Sequence, residues 1–141
     1  MKEIMDFEIC KREHLKSVSS DAEKIASIRK MCTARQRLIT KAEIDNETSS
    51  IIAADYYEII KELLVALLLK NGLKSDNHEC LISFFKKNYP EYEYEARAIH
   101  QLKDARNRAT YDGVFVKKEY IINNKLEFEG IIKTLNDILD K

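Results

Sequence analysis

Four residues have types and spacing that could do chemistry: His100, Arg106, Asn107 and Tyr111. They fall in one predicted helix running from about Glu91 towards Tyr111. At about 100° per residue, His100, Asp104, Asn107 and Tyr111 recur at i, i+4, i+7 and i+11 on one side. Ile99, Leu102, Ala105 and Ala109 form an apolar seam on the other. Arg106 sits at the edge of that seam, where a guanidinium is partly desolvated unless it pairs or reaches into a cleft. Its fork of donors suits bidentate binding of phosphate. Asn107 adds hydrogen-bonding capacity, and Tyr111 adds a phenol near the helix end. His100, on the Tyr111 face, is a residue type that titrates near neutrality. The plainer alternatives are an Arg106 paired with an acidic residue of a neighbouring helix and a His100 that is simply a surface histidine.

Other chemistries find less support. Cys10 and His14 stand at i, i+4, and His78 and Cys80 are close in sequence, but neither set offers four ligands at a recognised metal spacing. No Glu-x-x-His pair occurs, which removes the di-iron bundle. Three scattered glycines cannot form a Walker or Rossmann phosphate loop. No metal and no cofactor is expected.

The elements that must position these side chains are helices. Three Gly and one Pro in 141 residues leave few tight turns for a multi-stranded sheet. Hydrophobic residues at 45% and charged residues at 34% suit amphipathic helices with a buried stripe. Residues 2–18 carry a weak amphipathic pattern, giving an extra N-terminal helix within residues 1–19. From Asp21, with Ser20 or Asp21 as cap, Ile25, Ile28, Met31, Cys32, Leu38 and Ile39 follow helical spacing. The other face, Lys24, Arg29, Lys30, Arg37 and Lys41, is a basic stripe that reads either as a solvated surface or as an RNA contact. A helix opening near Asn46 or Thr48 and running to Leu69 is apolar on most of its circumference and forms the centre of the core. Asn71-Gly72 ends it with a left-handed residue, and Ser75-Asp76-Asn77 caps a short helix from His78 towards Tyr89. Asp112-Gly113 closes the helix that carries Arg106. A last helix, residues 117–140, turns Ile121, Leu126 or Phe128, Ile131, Ile132, Leu135, Ile138 and Leu139 inward. The expected fold is all-α, an up-and-down bundle of about five helices in a single domain spanning residues 1–141.

Lys plus Arg and Asp plus Glu both total 24, so overall charge gives no argument for nucleic acid or membrane, and any basic patch is local. Asp55, Glu58, Lys61 and Glu62 interrupt the most apolar helix, against a membrane span. The first seven residues lack the apolar run of a signal peptide. Three widely spaced cysteines argue against a disulfide framework and for a reducing, cytoplasmic setting.

From Ser20 onward the order of elements resembles the HEPN superfamily (higher eukaryotes and prokaryotes nucleotide-binding). The long apolar helix, the Asn-Gly break and the short His78-to-Phe85 helix are followed by Leu102-Lys103-Asp104-Ala105-Arg106-Asn107-Arg108-Ala109-Thr110-Tyr111-Asp112-Gly113. The family signature is an Arg, often followed by Asn, Asp or His, and a His at the end of the same helix. Arg106 and Asn107 match it; Tyr111 stands where the signature His would be. The resemblance implies a homodimer whose facing motifs form an RNA-binding cleft, in active members a metal-independent ribonuclease. Arg106 would then stabilise phosphorane charge and Tyr111 would act at the catalytic centre. A phenol, ordinarily titrating near ~10, is a proton donor there and a poor base at neutral pH, so RNA or nucleotide binding by Arg106, Asn107 and His100 is expected ahead of cleavage. The resemblance also implies a toxin–antitoxin or defence setting. Its alternative is a non-catalytic partner of a small nucleotidyltransferase, with Tyr111 as a conceivable acceptor.

Overall fold

The computed structural model describes residues 2–141. Its helices are α1 (Phe7–Glu13), α2 (Ala22–Ile39), α3 (Ser49–Lys70), α4 (His78–Asn88), α5 (Glu93–Asp112) and α6 (Lys118–Asp140). A single 3-10 turn, Pro90–Tyr92, leads into α5. Two three-residue strands, β1 (Leu15–Ser17) and β2 (Leu73–Ser75), complete the described residues. The fold is therefore all-helical, as the composition predicts: five longer helices, a short N-terminal helix within residues 1–19 and a minimal sheet.

α3 is the axis of the molecule. Ile59, Ile60, Leu63 and Leu67 are fully buried, and α2, α4, α5 and α6 all pack on this one helix. A helix with apolar residues around most of its circumference must be enclosed on all those sides to remove them from water. Among the described residues, no helix is long and apolar enough to cross a membrane.

Helix boundaries follow the capping residues. Asp21 accepts from the Lys24 backbone N–H at 3.0 Å and Asn77 from that of Glu79 at 2.8 Å. Gly113 ends α5 in the left-handed region, at φ 67°. Gly72 turns the chain out of α3 at φ 72°, and a Cβ there would stand 3.3 Å from the Val18 carbonyl. α5 begins at Glu93 rather than Glu91, because the chain first makes the 3-10 turn at Pro90. In α6 it is Phe128 that turns inward, its ring 5.4 Å from that of Tyr56, while Leu126 is 84% exposed.

The N-terminal segment departs from the sequence expectation in two ways. Instead of a helix over 2–18, α1 stops at Glu13 and the chain extends into β1, which pairs antiparallel with β2 (Leu15 opposite Ser75, Ser17 opposite Leu73). The stretch that leaves α3 after Gly72 offers an open backbone edge, and β1 satisfies it, a pairing between segments far apart in sequence. Next to that ladder, Cys10 of α1 and Cys80 of α4 are both fully buried and form a disulfide, their Cα atoms 5.5 Å apart. This corrects the reading of the cysteines as unpaired, and the inference of a reducing compartment from their number falls with it. Two cysteines 70 residues apart meet only because α1 packs on α4. The third, Cys32, is buried and its thiol is pushed up to about 11, chiefly by burial and then by Glu62, which leaves it inert as a nucleophile.

A cross-link between such distant residues restricts the unfolded chain more than the folded one. Replacing both Cys10 and Cys80 with Ala is expected to cost about 2–4 kcal/mol in urea unfolding while leaving the helical far-ultraviolet signal in place. An unchanged unfolding midpoint would contradict the account.

Candidate functional site

α5 presents its chemistry by burying its seam. Ala96, Ile99, Leu102 and Ala105 are buried, with α5 packed against α3, so Arg106, the next residue after the seam, comes out at its edge. The guanidinium carbon lies 5.9 Å from the centre of the Tyr57 ring on α3 and 5.8 Å from that of Tyr111. The cation is thus flanked by two aromatic rings. Its Nη1 donates to Asn107 Oδ1 at 3.0 Å, with the Tyr111 hydroxyl oxygen 3.5 Å away, at the limit of a hydrogen bond. Among the described residues no carboxylate forms an ion pair with Arg106. The plainer alternative, an arginine neutralised by a neighbouring helix, is not what the structure contains. Arg106, Asn107 and Tyr111 come together, the guanidinium reaching from the seam's edge to the face that carries the other two.

The same residues line a cleft of about 540 Å³ with contributions from α3, α4, α5 and the N-terminal segment. Its charges are unevenly neutralised. Glu58 is paired with Lys61 at 2.9 Å, Glu79 with Lys2 at 3.5 Å and Asp104 with Arg108 at 3.2 Å, while Asp76 lies 2.7 Å from His14. Every carboxylate of the wall therefore has a basic partner. Lys103 and Arg106, which face the same cleft, have none among the described residues. What remains uncompensated is positive charge. His78, at the first position of α4, feels it: partial burial, then Lys61, Lys103 and Arg106, hold its imidazole below the ordinary histidine range, with Glu58 acting in the opposite sense. Tyr57 is buried and its phenol is pushed up to about 12 by that burial, so it stays a neutral ring and donor beneath the guanidinium.

His100 is the one predicted site residue whose setting differs. It does lie on the wall of the cleft, but it is only 8% exposed, and its Nε2 donates a hydrogen bond to the Lys2 carbonyl. Its ring is engaged in fastening the N-terminal segment over α5. Helical phase puts His100 on the polar face, but the chain that covers it comes from the other end of the sequence. The basic stripe of α2 is also structural in part: Arg29 reaches across to α6, donating to Asn136 Oδ1 at 3.0 Å and pairing with Asp140 at 2.6 Å. The cysteines of the two imagined metal pairs are engaged in the disulfide, which leaves neither pair able to hold an ion.

Tyr57, Lys61, His78 and Lys103 were not legible as site residues. The available signal was the polar interruption of α3 by Glu58 and Lys61, since an otherwise apolar core helix keeps charge only where its wall opens to water. No family model matches the chain, nor does any curated protein or solved structure.

An arginine held for ligand contact contributes little to folding. Arg106→Ala is expected to shift the unfolding free energy by at most about 2 kcal/mol, the scale of its cation–π contacts and one hydrogen bond. A loss several times larger in urea unfolding would mark Arg106 as a structural group instead.

Proposed function

We propose that this chain is a HEPN-type domain that binds RNA or nucleotide through Arg106 and Asn107. One observation carries the reading: a guanidinium without a carboxylate partner, steadied by Asn107 and flanked by Tyr57 and Tyr111, at the wall of a cleft whose remaining charge is positive. Such a site offers a phosphate charge-assisted hydrogen bonds and offers a base an aromatic face. Tyr111 suits the second role, since its ring is 72% exposed beside the guanidinium.

The family resemblance adds a homodimer with two such motifs facing each other. In its favour, Tyr111, Val114 and Phe115 are large exposed apolar residues grouped at the end of α5, a surface that a second copy would cover. A setting among toxin–antitoxin or defence proteins belongs to the same reading. Where the chain cleaves RNA, the ribose 2′-oxygen bonds to phosphorus and gives its proton to water, Arg106 stabilises the charge on the phosphorane oxygens, and the Tyr111 phenol gives a proton to the departing 5′-oxygen and regains one from water. The second reading, a substrate-holding partner of a small nucleotidyltransferase, draws on the same exposure of Tyr111, whose hydroxyl is open to a modifying enzyme.

The test is binding and cleavage of labelled single-stranded RNA by the purified full chain in EDTA. Arg106→Ala is expected to weaken binding by roughly 10- to 100-fold, the worth of hydrogen bonds to a charged group, while Tyr111→Phe binds within a few-fold of the unaltered protein. Any cleavage should disappear with Arg106→Ala. RNA binding that ignores Arg106→Ala would overturn the assignment, and sedimentation as a monomer at micromolar concentration would remove the facing motifs.

A further inference from the structure

The cleft contains a titratable group for which the resemblance gives no role. His78 stands at the start of α4, brought there by the Ser75-Asp76-Asn77 cap, and it lines the same cavity as Arg106 and Lys103. It is exposed, and among the described residues no hydrogen bond or ion pair engages its ring, in contrast to His14 on Asp76 and His100 on Lys2. The groups facing it are Lys61 and Glu58 from α3, Lys103 and Arg106 from α5, and Glu79 beside it on α4. Lys61 is shared between Glu58 and Glu62 and Lys2 meets Glu79, and at the His78 ring the cations Lys61, Lys103 and Arg106 outweigh Glu58.

We propose that His78 is a third arm of the phosphate site, so that Arg106, Lys103 and His78 of one chain hold the same phosphodiester and binding takes up a proton at His78. This rests on the reading of the cleft as a phosphate site and extends it to α4. The sign follows from the surroundings. In the free protein neighbouring cations and burial disfavour the imidazolium, and a bound phosphodiester supplies the missing negative charge and favours it. The pKa of His78 is then higher in the complex than in the free protein. Binding draws in a proton between those two values, and affinity rises as pH falls through them. A phosphodiester stays singly anionic over this range, so an oligoribonucleotide without a terminal phosphate reports on the protein alone. A terminal monoester, with a second pKa near ~6, would titrate itself.

The experiment is calorimetric titration of the full chain with a short single-stranded oligoribonucleotide lacking terminal phosphates. It is run from about pH 5.5 to about pH 8 in pairs of buffers of different ionisation enthalpy. The unaltered protein is expected to bind about tenfold more tightly at the acid end and to take up a fraction of a proton near neutrality, a one-unit rise in pKa corresponding to a tenfold change in affinity. His78→Gln should bind with a flat pH profile and no proton uptake. His78→Lys, which carries its charge throughout, should bind at pH 8 about as tightly as the unaltered protein does at pH 5.5, and its gain of affinity shows that α4 has not unfolded. Proton uptake that survives in His78→Gln, or binding that is independent of pH and still lost in Arg106→Ala, overturns the role of His78 while leaving the Arg106 site standing. Binding indifferent to both Arg106→Ala and His78→Gln overturns the phosphate reading itself.

Discussion

α3 has almost no side that can face water, and the rest of the structure answers to that constraint. Ile52, Tyr56, Ile59, Ile60, Leu63, Leu64, Leu67 and Leu68 are buried around its circumference, a surface too broad for any single neighbour to cover. Four helices close on it, and each is rolled so that its own apolar stripe meets α3. For α5 that roll puts Ala105 in the interface and Arg106 at its margin. The position of the guanidinium is therefore a by-product of core packing.

Where the enclosure of α3 is incomplete, the cleft appears. Tyr57 lies at the boundary, buried as a core residue yet supplying the ring beneath Arg106. Glu58 and Lys61 neutralise each other on the open wall, and the N-terminal segment forms another wall, where Lys2 meets His100 and Glu79. That segment is held at several points: the Cys10–Cys80 bond, the β1–β2 ladder and the His100 hydrogen bond. With so many of the wall's charges satisfied internally, Arg106 and Lys103 are left to meet whatever enters. Burying unpaired like charges side by side is costly, and water or an anion relieves it.

What could be read from the sequence was what depends on neighbours along the chain. Helical phase gave the α5 seam, and capping chemistry placed the starts at Asp21 and Asn77 and the ends at Gly72 and Gly113. Asn107 and Tyr111 share a face at i, i+4, and the long Arg106 side chain reaches both from the edge of the seam. The failures are all non-local. Leu15–Ser17 becomes a strand because Leu73–Ser75 is there to pair with it, and Cys10 finds Cys80 across the same junction. His100 is buried by a carbonyl from the chain's first residues, and His78 joins the site only through the packing of α4 on α3. Leu126 and Phe128 lie about 200° apart on the helix, and it is Phe128, seven residues from both Ile121 and Leu135, that shares their buried face against Tyr56.

The central claim is that ligand enters at the Arg106 wall, and nuclear magnetic resonance titration of the labelled full chain with single-stranded RNA tests it most directly. The account predicts that the Arg106 side-chain Nε–H resonance and the backbone signals of Tyr57, His78, Lys103 and Asn107 move together in one saturating process. An adjoining surface, which shares Asp104 with the cleft, offers a cavity of about 740 Å³ beside Arg108, Phe115 and Tyr120. Shifts confined to that surface, with the Arg106 resonance unmoved, would contradict the account.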